Sequence, residues 1–150
     1  MEYHLRPATG LDRDFLYRLH RVTMRDVIDK TWGWEEAWQR ADFERRFRDY
    51  LAWVIYVEHW PVGTLCLEWR PDSLHVHEVQ VLPEFQGRGI GTAVLWDTIE
   101  QGAARGFPVT LSVVAANPRA KQLYERLGFR VTGVEALFIH MKHDSRLITR

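Results

Sequence analysis

Residues 79–92 read Val-Gln-Val-Leu-Pro-Glu-Phe-Gln-Gly-Arg-Gly-Ile-Gly-Thr, and they carry the strongest structural signal in the chain. The stretch begins as an apolar strand and turns at Pro83-Glu84. It then has a glycine at every second position, and an amphipathic helix is predicted to follow to about residue 105. A glycine-rich turn that opens a helix leaves several backbone N–H groups unpaired, and the helix dipole adds roughly half a positive charge there. The turn is therefore a predicted site for a phosphate or pyrophosphate.

Two common phosphate-binding loops do not fit this stretch. The P-loop ends in Gly-Lys-Ser/Thr, and residues 79–92 contain no lysine. The dinucleotide fingerprint has the spacing G-x-G-x-x-G, whereas Gly87, Gly89 and Gly91 have the spacing G-x-G-x-G. An ordinary tight turn would explain the glycines alone, but the strand before them and the helix after them favour an anion site.

The composition limits the class of protein. The chain has 150 residues, 46% of them hydrophobic, which suits one globular domain over residues 1–150. Twenty basic residues balance twenty acidic residues, so no net positive charge argues for nucleic-acid binding. No apolar run approaches the ~20 residues of a membrane helix. The single cysteine, Cys66, is interpreted as a core residue, and one cysteine fits a reducing compartment. Taken together, these features lead us to expect a cytoplasmic protein with no membrane partner.

Hydrophobic periodicity and turn residues predict an α/β fold with a mixed sheet. Asn117-Pro118 is a typical helix start and Gly128 a typical helix end. The second helical stretch has aromatic pairs on different faces, so it is either one helix or two short ones. The predicted strands cover residues 3–7, 54–58, 63–70, 74–82, 107–114, 129–134 and 136–142. The predicted helices cover residues 12–29, a stretch ending near 49, the helix ending near 105, and residues 118–127, with a frayed tail over 144–150.

Two motifs and this order of elements resemble the GNAT superfamily of acetyl-CoA-dependent N-acetyltransferases. Gln86-Gly-Arg-Gly-Ile-Gly91 fits the pyrophosphate-loop pattern Q/R-x-x-G-x-G/A after a strand that ends in Val-x-Pro. Asn117-Pro-Arg-Ala-Lys-Gln-Leu-Tyr-Glu-Arg-Leu-Gly-Phe129 is similar to the signature N-x-x-A-x-x-x-Y-x-x-x-G-F. The resemblance implies the GNAT fold, with a central mixed, largely antiparallel sheet flanked by helices. Homodimers are common in that family.

The resemblance also implies how acetyl-CoA is bound. Backbone N–H groups of residues 86–92 would bind the pyrophosphate, and Arg88 would add charge-assisted hydrogen bonds unless it is a solvated surface arginine. In the family, the strand at residues 79–82 splays away from the next strand and pairs with pantetheine. The N–H of Val81 would then polarise the thioester carbonyl, and Asn117 would contact pantetheine or act only as a helix cap. The implied acetyl-CoA-binding residues are Val79, Val81, Leu82, Gln86, Gly87, Arg88, Gly89, Ile90, Gly91, Thr92 and Asn117.

Transfer to an amine needs a proton acceptor, because a primary alkylamine with a pKa near ~10.4 is almost fully protonated at pH 7. Glu78 is the first candidate, since it lies inside an otherwise apolar strand where burial suits a carboxylate to this task. The competing interpretation is a carboxylate paired with a structural arginine such as Arg45 or Arg70.

His77 and His75 are alternative bases. They align with the paired histidines of the arylalkylamine N-acetyltransferase branch of the superfamily. Strand alternation predicts both on one face and Glu78 on the other, unless a bulge intervenes. Packed, hydrogen-bonded core histidines remain the plainer interpretation of both.

Tyr124 matches the family position whose phenol protonates the departing thiolate. A phenol with a pKa near ~10 can donate to the thiolate of a thiol with a pKa near ~8.5 as it forms. A tyrosine that only packs its helix on the sheet is the alternative. The histidines show no metal-ligand spacing, so no metal is predicted.

The acceptor region is less clear from the sequence. Trp32, Trp34 and Glu35 precede the second helix, in the region that shapes the acceptor pocket in the family. Aromatic rings beside Glu35 and Glu36 suit a cationic amine, but they equally suit a packed staple between two helices.

Two functions therefore stay open. The first is an N-acetyltransferase that moves acetyl from acetyl-CoA to a small-molecule or peptide amine by direct attack in a ternary complex. The second is a non-catalytic acyl-CoA-binding module of the same fold.

Overall fold

The structure is a computed structural model that describes residues 2–144. The strands are β1 (His4–Pro7), β2 (Leu51–Val57), β3 (Trp60–Trp69), β4 (Leu74–Val81), β5 (Val109–Val114), β6 (Arg130–Glu135) and β7 (Phe138–His143). The helices are α1 (Arg13–Trp32), α2 (Glu36–Asp49), α3 (Ile90–Ala104) and α4 (Pro118–Arg126). No helix within residues 2–144 is long and apolar enough to cross a membrane. Most of the predicted frayed tail, residues 145–150, lies outside the described residues.

The seven strands form one sheet in the order β1-β2-β3-β4-β5-β7-β6. The pairs β1–β2, β2–β3, β5–β7 and β6–β7 are antiparallel, whereas β4 and β5 are parallel. Two parallel neighbours need a crossover, and α3 provides it. The parallel ladder is short, since it joins Leu74, His75 and Val76 to three residues of β5. The predicted α/β class and the mixed, largely antiparallel sheet are confirmed.

The second helical stretch is one helix, and the alternative of two short helices is wrong. Phe43 meets Tyr17 edge to face at 5.3 Å, and Phe47 lies 6.0 Å from Phe43 on the same side of α2. Trp38 is instead 60% exposed. Phe43 therefore faces the core and Trp38 faces solvent, on different sides of one helix.

The chain divides into two compact units. Unit 1 comprises the described residues up to Leu67 together with Glu78–Gly91, and unit 2 comprises Glu68–His77 together with the described residues from Thr92 onward. The single domain over residues 1–150 stays a prediction.

Unit 1 has a core between α1, α2 and β2. Its buried cluster contains Leu16, Tyr17, Leu19, Phe43 and Val54. The turn before α1 is capped on both sides: the Thr9 side chain accepts from the backbone, and the Asp12 carboxylate accepts from the Thr9 N–H at 2.8 Å. These contacts fix the helices on which several candidate site residues lie.

Unit 2 buries the apolar side of α3, β5 and β7. Leu95, Ile99, Val109, Leu111 and Met141 are each at most 3% exposed. The last helix ends as predicted, since Gly128 has φ +101°, a conformation that glycine adopts without strain.

Candidate active site

The predicted phosphate loop is built by a short 3-10 turn and two glycines with positive φ. The turn covers Pro83–Phe85, and φ is +75° at Gly87 and +83° at Gly89. A side chain at either position would be strained, although a Cβ would meet nothing within 4 Å. The loop leads directly into α3, which begins at Ile90, and Gly91 lies in its first turn.

Several backbone N–H groups of this loop lack a backbone acceptor within the described residues. Within the described residues, the N–H groups of Gly87, Arg88 and Gly89 donate to no backbone carbonyl. The first N–H groups of α3, from Ile90 to Thr92, have no partner inside the helix because of their position. The loop therefore has the donors that an anion requires.

Two side chains of the loop are already engaged. Gln86 donates from Nε2 to the Val81 carbonyl at 2.9 Å, which ties the loop back to the end of β4. The Arg88 guanidinium lies 5.0 Å from the centre of the Phe85 ring. Arg88 is exposed and sits at the turn, so its charge is available there.

The end of β4 holds the other predicted acetyl-CoA-binding residues. The Leu82 N–H donates to the Val62 carbonyl at 2.8 Å, which anchors the end of the strand within unit 1. The ladder with β5 includes no residue of β4 after Val76. Val79 and Val81 therefore belong to the part of β4 that lies beyond that ladder.

Glu78 binds Arg46, which is a residue of α2. Arg46 Nη1 donates to Glu78 Oε1, and Arg46 Nε donates to Asp42 Oδ2 at 2.9 Å. The side chains of Arg46 and Glu78 are only 14% and 17% exposed. The candidate structural partners Arg45 and Arg70 were wrong. Arg45 binds Asp42 at 2.9 Å, and Arg70 binds Glu68 at 3.0 Å.

His20 on α1 also faces Glu78. Its Nδ1 lies 4.0 Å from Glu78 Oε1, and its Nε2 lies 2.8 Å from Gln39 Oε1. Its pKa is lowered, chiefly by burial. Sequence reasoning missed both His20 and Arg46. The four-residue spacing of Asp42 and Arg46 was the one available signal, and it is equally typical of an exposed helix pair.

A small cavity of about 20 Å³ lies beside the Arg46–Glu78 pair in unit 1. That volume suffices for one water molecule. The cavity combines this ion pair with apolar and weakly polar walls. It is lined by Leu16, Phe43, Arg46, Phe47, Ala52, Thr64, Cys66 and Glu78.

The two histidines of β4 lie side by side in unit 2. Their ring centroids are 4.7 Å apart. His75 Nδ1 lies 2.7 Å from Thr110 Oγ1, and His77 Nε2 lies 3.0 Å from Glu68 Oε1. Burial, with a smaller contribution from the charge of Arg70, lowers the pKa of His75 to about 4. His75 is therefore neutral near pH 7.

Tyr124 and Asn117 are both on or beside α4. Burial raises the pKa of Tyr124 to about 12, and its ring lies 5.9 Å from that of Phe129. The phenol is therefore protonated across the neutral range. Asn117 caps α4, with Oδ1 accepting from the Ala120 N–H at 3.3 Å.

The residues before α2 form a hydrogen-bonded cluster around Glu36. This carboxylate accepts from Trp34 Nε1 at 2.7 Å, from the Tyr17 hydroxyl at 2.8 Å and from Arg21 at 2.5 Å. These donors, the Trp34 indole first, lower the pKa of Glu36 to about 2. Glu35 is the exposed residue at the helix start, and Trp32 is 49% exposed. Trp34 and Glu36 thus join α1 to α2, as the staple interpretation predicts.

No group of three or more His, Cys, Asp or Glu side chains within residues 2–144 is arranged to hold a metal ion. That no metal takes part in the reaction stays a prediction.

The family model of the acetyltransferase (GNAT) family matches residues 14–129. The chain belongs to this family. The matched range contains both α1 and α2 and extends through the loop at residues 86–92 to Phe129. The acetyltransferase family therefore applies to the chain.

Curated relatives carry related names. An uncharacterized N-acetyltransferase of Methanocaldococcus jannaschii is 33% identical over 138 residues, which cover 85% of this chain and 60% of that protein. The N-alpha-acetyltransferase RimI of Mycobacterium tuberculosis is 39% identical over 64 residues, or 43% of this chain and 39% of that protein. The GNAT chain thus spans from about 40% to 60% of the length of these relatives.

Solved structures share the fold. A PaiA N-acetyltransferase of Thermoplasma acidophilum in complex with coenzyme A has a TM-score of 0.79 at 15% identity, covering 96% of this chain and 99% of that one. An acetyltransferase of Thermus thermophilus has a TM-score of 0.75 at 22% identity, covering 95% and 97%. These likenesses concern the fold alone.

Proposed function

We propose that this GNAT chain is an acetyl-CoA-dependent N-acetyltransferase in which the amine attacks the thioester directly within a ternary complex. One observation carries most of this proposal. Gly87 and Gly89 adopt positive φ in a loop that opens α3 with unpaired backbone N–H groups. Such a loop suits the pyrophosphate of coenzyme A.

Backbone donors are proposed for two parts of acetyl-CoA, the pyrophosphate and the acyl-pantetheine arm. Backbone N–H groups from Gln86 to Thr92 are proposed to bind the pyrophosphate, with the exposed guanidinium of Arg88 adding charge. The backbone of Val79–Leu82 is proposed to pair with pantetheine, because the ladder with β5 ends at Val76. The N–H of Val81 is the proposed donor to the thioester oxygen. The Asn117 amide nitrogen is a further donor, since only the oxygen serves as the helix cap.

Glu78 is the proposed base. A carboxylate that already binds Arg46 is held in the ionised form, which can accept a proton from the bound amine. His75 is the weaker candidate, because its Nδ1 already lies 2.7 Å from Thr110 Oγ1. His77 remains the competing base, and it binds Glu68.

Tyr124 is the proposed acid. As the C–S bond breaks, the thiolate takes the phenolic proton, while the C–N bond has formed and Glu78 has taken the amine proton. A phenol with a pKa of about 12 carries its proton at every pH at which the reaction would be assayed. Being protonated is one of the conditions that a general acid must meet.

The acceptor is proposed to be a small-molecule or peptide amine that approaches the region of Trp32, Trp34 and Glu35. Of these three, Glu35 is an exposed carboxylate without a side-chain cap bond. It is therefore the most available partner for a cationic amine. The cytoplasmic location, the homodimer and the absence of nucleic-acid and membrane partners stay predictions.

The test is release of CoA thiol from acetyl-CoA across arylalkylamines, polyamines, aminoglycosides, amino acids and peptides. Binding of acetyl-CoA is measured in parallel by calorimetry, and Glu78→Gln is assayed with every acceptor. Turnover that falls at least ~100-fold in Glu78→Gln, with acetyl-CoA binding unchanged, supports transfer with Glu78 as base. Binding of acetyl-CoA without turnover on any acceptor would favour the acyl-CoA-binding module instead.

A further inference from the structure

His20 is a buried histidine that none of the proposed catalytic steps uses. It lies on α1 and is 4% exposed. Its Nε2 lies 2.8 Å from Gln39 Oε1. An amide oxygen only accepts hydrogen bonds, so the imidazole proton is on Nε2 and Nδ1 carries a free lone pair.

The Nδ1 atom lies near the proposed base. Nδ1 is buried and lies 4.0 Å from Glu78 Oε1, and it has no hydrogen-bond partner within the described residues. A buried polar atom without a partner is costly, and most such atoms in folded proteins are paired. A state of the site in which Nδ1 accepts a hydrogen bond would therefore be more stable at this atom.

The ionised carboxylate does not provide that state. Glu78 Oε1 accepts from Arg46, and a carboxylate has no proton to donate. Two acceptors that face each other stay apart, which agrees with the 4.0 Å between them. Once Glu78 gains a proton, its O–H becomes a donor, and Nδ1 is a nearby acceptor without another partner within the described residues.

We propose that His20 is a positioning residue that accepts a hydrogen bond from the protonated form of Glu78. Arg46 favours the ionised form of this carboxyl group and His20 favours the protonated form. The site can then hold the amine proton while the C–N bond forms and release it to water afterwards. His20 transfers no proton. Its value to catalysis rests on the proposed role of Glu78 as base.

The groups around His20 allow it to stay a neutral acceptor. Asp42 and Arg46 approach from α2, where they bind each other, and Glu36 at the start of that helix is held by its three donors. The Trp34 ring lies 5.6 Å from the imidazole on one side, and the Tyr17 ring lies 6.2 Å away. Burial, assisted by the charge of Arg46, outweighs the opposing carboxylates of Asp42 and Glu36 and lowers the pKa of His20, so the imidazole is neutral at pH 7.

Two substitutions of His20 distinguish the roles of its two ring nitrogens. In His20→Gln the amide reaches the position of Nε2 and keeps a contact with Gln39, but nothing replaces Nδ1. In His20→Asn the amide oxygen takes the place of Nδ1. His59→Gln, at an exposed turn, is the matched control for loss of a histidine.

The primary measurement is a ¹³C NMR titration of the Glu78 carboxyl carbon in the unliganded protein, assigned by its loss in Glu78→Gln. We expect His20→Gln to lower the midpoint of Glu78 protonation by about 0.5–1 pH unit, the effect of one hydrogen bond. His20→Asn and His59→Gln should stay within about 0.2 pH unit of the unsubstituted protein. A midpoint in His20→Gln that is unchanged or higher would overturn the proposal.

A second measurement needs no variant. ¹⁵N spectra of the unsubstituted protein should show the His20 tautomer with the proton on Nε2, and the Nδ1 resonance should move as Glu78 is protonated. The opposite tautomer would overturn the proposal even if His20→Gln fails to fold.

The kinetic readout is separate from both measurements. If Glu78 is the base, the acid limb of kcat/KM shifts to lower pH in His20→Gln, while the KM for acetyl-CoA is unchanged. Absence of turnover on every acceptor would count against the proposed function, and the titration would still decide the role of His20.

Discussion

Arg46 on α2 holds the carboxylate of Glu78 on β4, and the same guanidinium binds Asp42 through Nε at 2.9 Å. The pairing compensates the charge of a mostly buried carboxylate on β4. It also explains why Glu78 is tolerated there whether or not it acts as a base.

Loss of Arg46 alone should destabilise the protein more than loss of the whole pair. Arg46→Met leaves Glu78 as a mostly buried charge without its partner, and we expect the free energy of unfolding to fall by about 3 kcal/mol. Arg46→Met combined with Glu78→Met should recover a large part of that loss. Urea unfolding of the single and double variants measures the coupling. Arg48→Met is the control, since Arg48 is 70% exposed and its loss should change stability by less than about 0.5 kcal/mol. Additive effects in the cycle would show that the two residues are not coupled.

Glu36 should make stability depend on pH. Its pKa of about 2 in the folded state lies below the value of 4.5 for an unperturbed glutamate, so folding favours the ionised form. The stabilisation is fully present above pH 4.5 and is lost as the pH falls toward 2. We therefore expect Glu36→Gln to lower the urea midpoint at pH 7 and this difference to shrink progressively below pH 5. Glu35→Gln should show no such trend, because the exposed Glu35 makes no side-chain cap bond. A Glu36→Gln difference that stays constant down to pH 3 would contradict the prediction.

The positive φ of two glycines should be needed for coenzyme A binding. Gly87→Ala and Gly89→Ala place a Cβ on backbone in the left-handed region, which costs about 1–2 kcal/mol per residue and distorts the loop. Calorimetry should show at least a ~10-fold weaker Kd for coenzyme A. Gly106→Ala is the matched control, because Gly106 has φ +73° but lies after α3. It should lower stability similarly and leave the Kd unchanged. Equal losses of affinity in all three variants would attribute the effect to general destabilisation.

Tyr124→Phe should separate the acid step from binding. Removal of one proton donor from the leaving group is expected to lower kcat by about 10²–10⁴-fold and to leave the KM for acetyl-CoA nearly unchanged. Stopped-flow and steady-state assays on the acceptor found in the panel measure this. Tyr50→Phe, at the C-terminal end of α2, is the control for loss of a phenol and should retain full activity. A Tyr124→Phe protein with normal kcat would assign Tyr124 to packing against Phe129.

The sequence was sufficient for features that depend on local backbone geometry. The glycines at positions 87 and 89 predicted a turn that opens a helix, and Asn117-Pro118 and Gly128 predicted the two ends of α4. These features follow from steric limits and hydrogen bonds within a few residues, so they are visible in a short stretch of chain. The two motifs built on them also identified the family.

The partners of the buried charged and polar groups were decided by tertiary structure. Glu78 lies 32 residues from Arg46, and sequence reasoning offered Arg45 and Arg70 instead. Arg45 and Arg46 are neighbours in sequence, but they point in different directions from α2, because successive residues of a helix are about 100° apart. His20 had no sequence signal at all, since its position depends on how α1, α2 and β4 pack. Local steric rules therefore determined the turns, caps and motif positions, whereas the ion pair and the imidazole at Glu78 required the three-dimensional packing of distant segments.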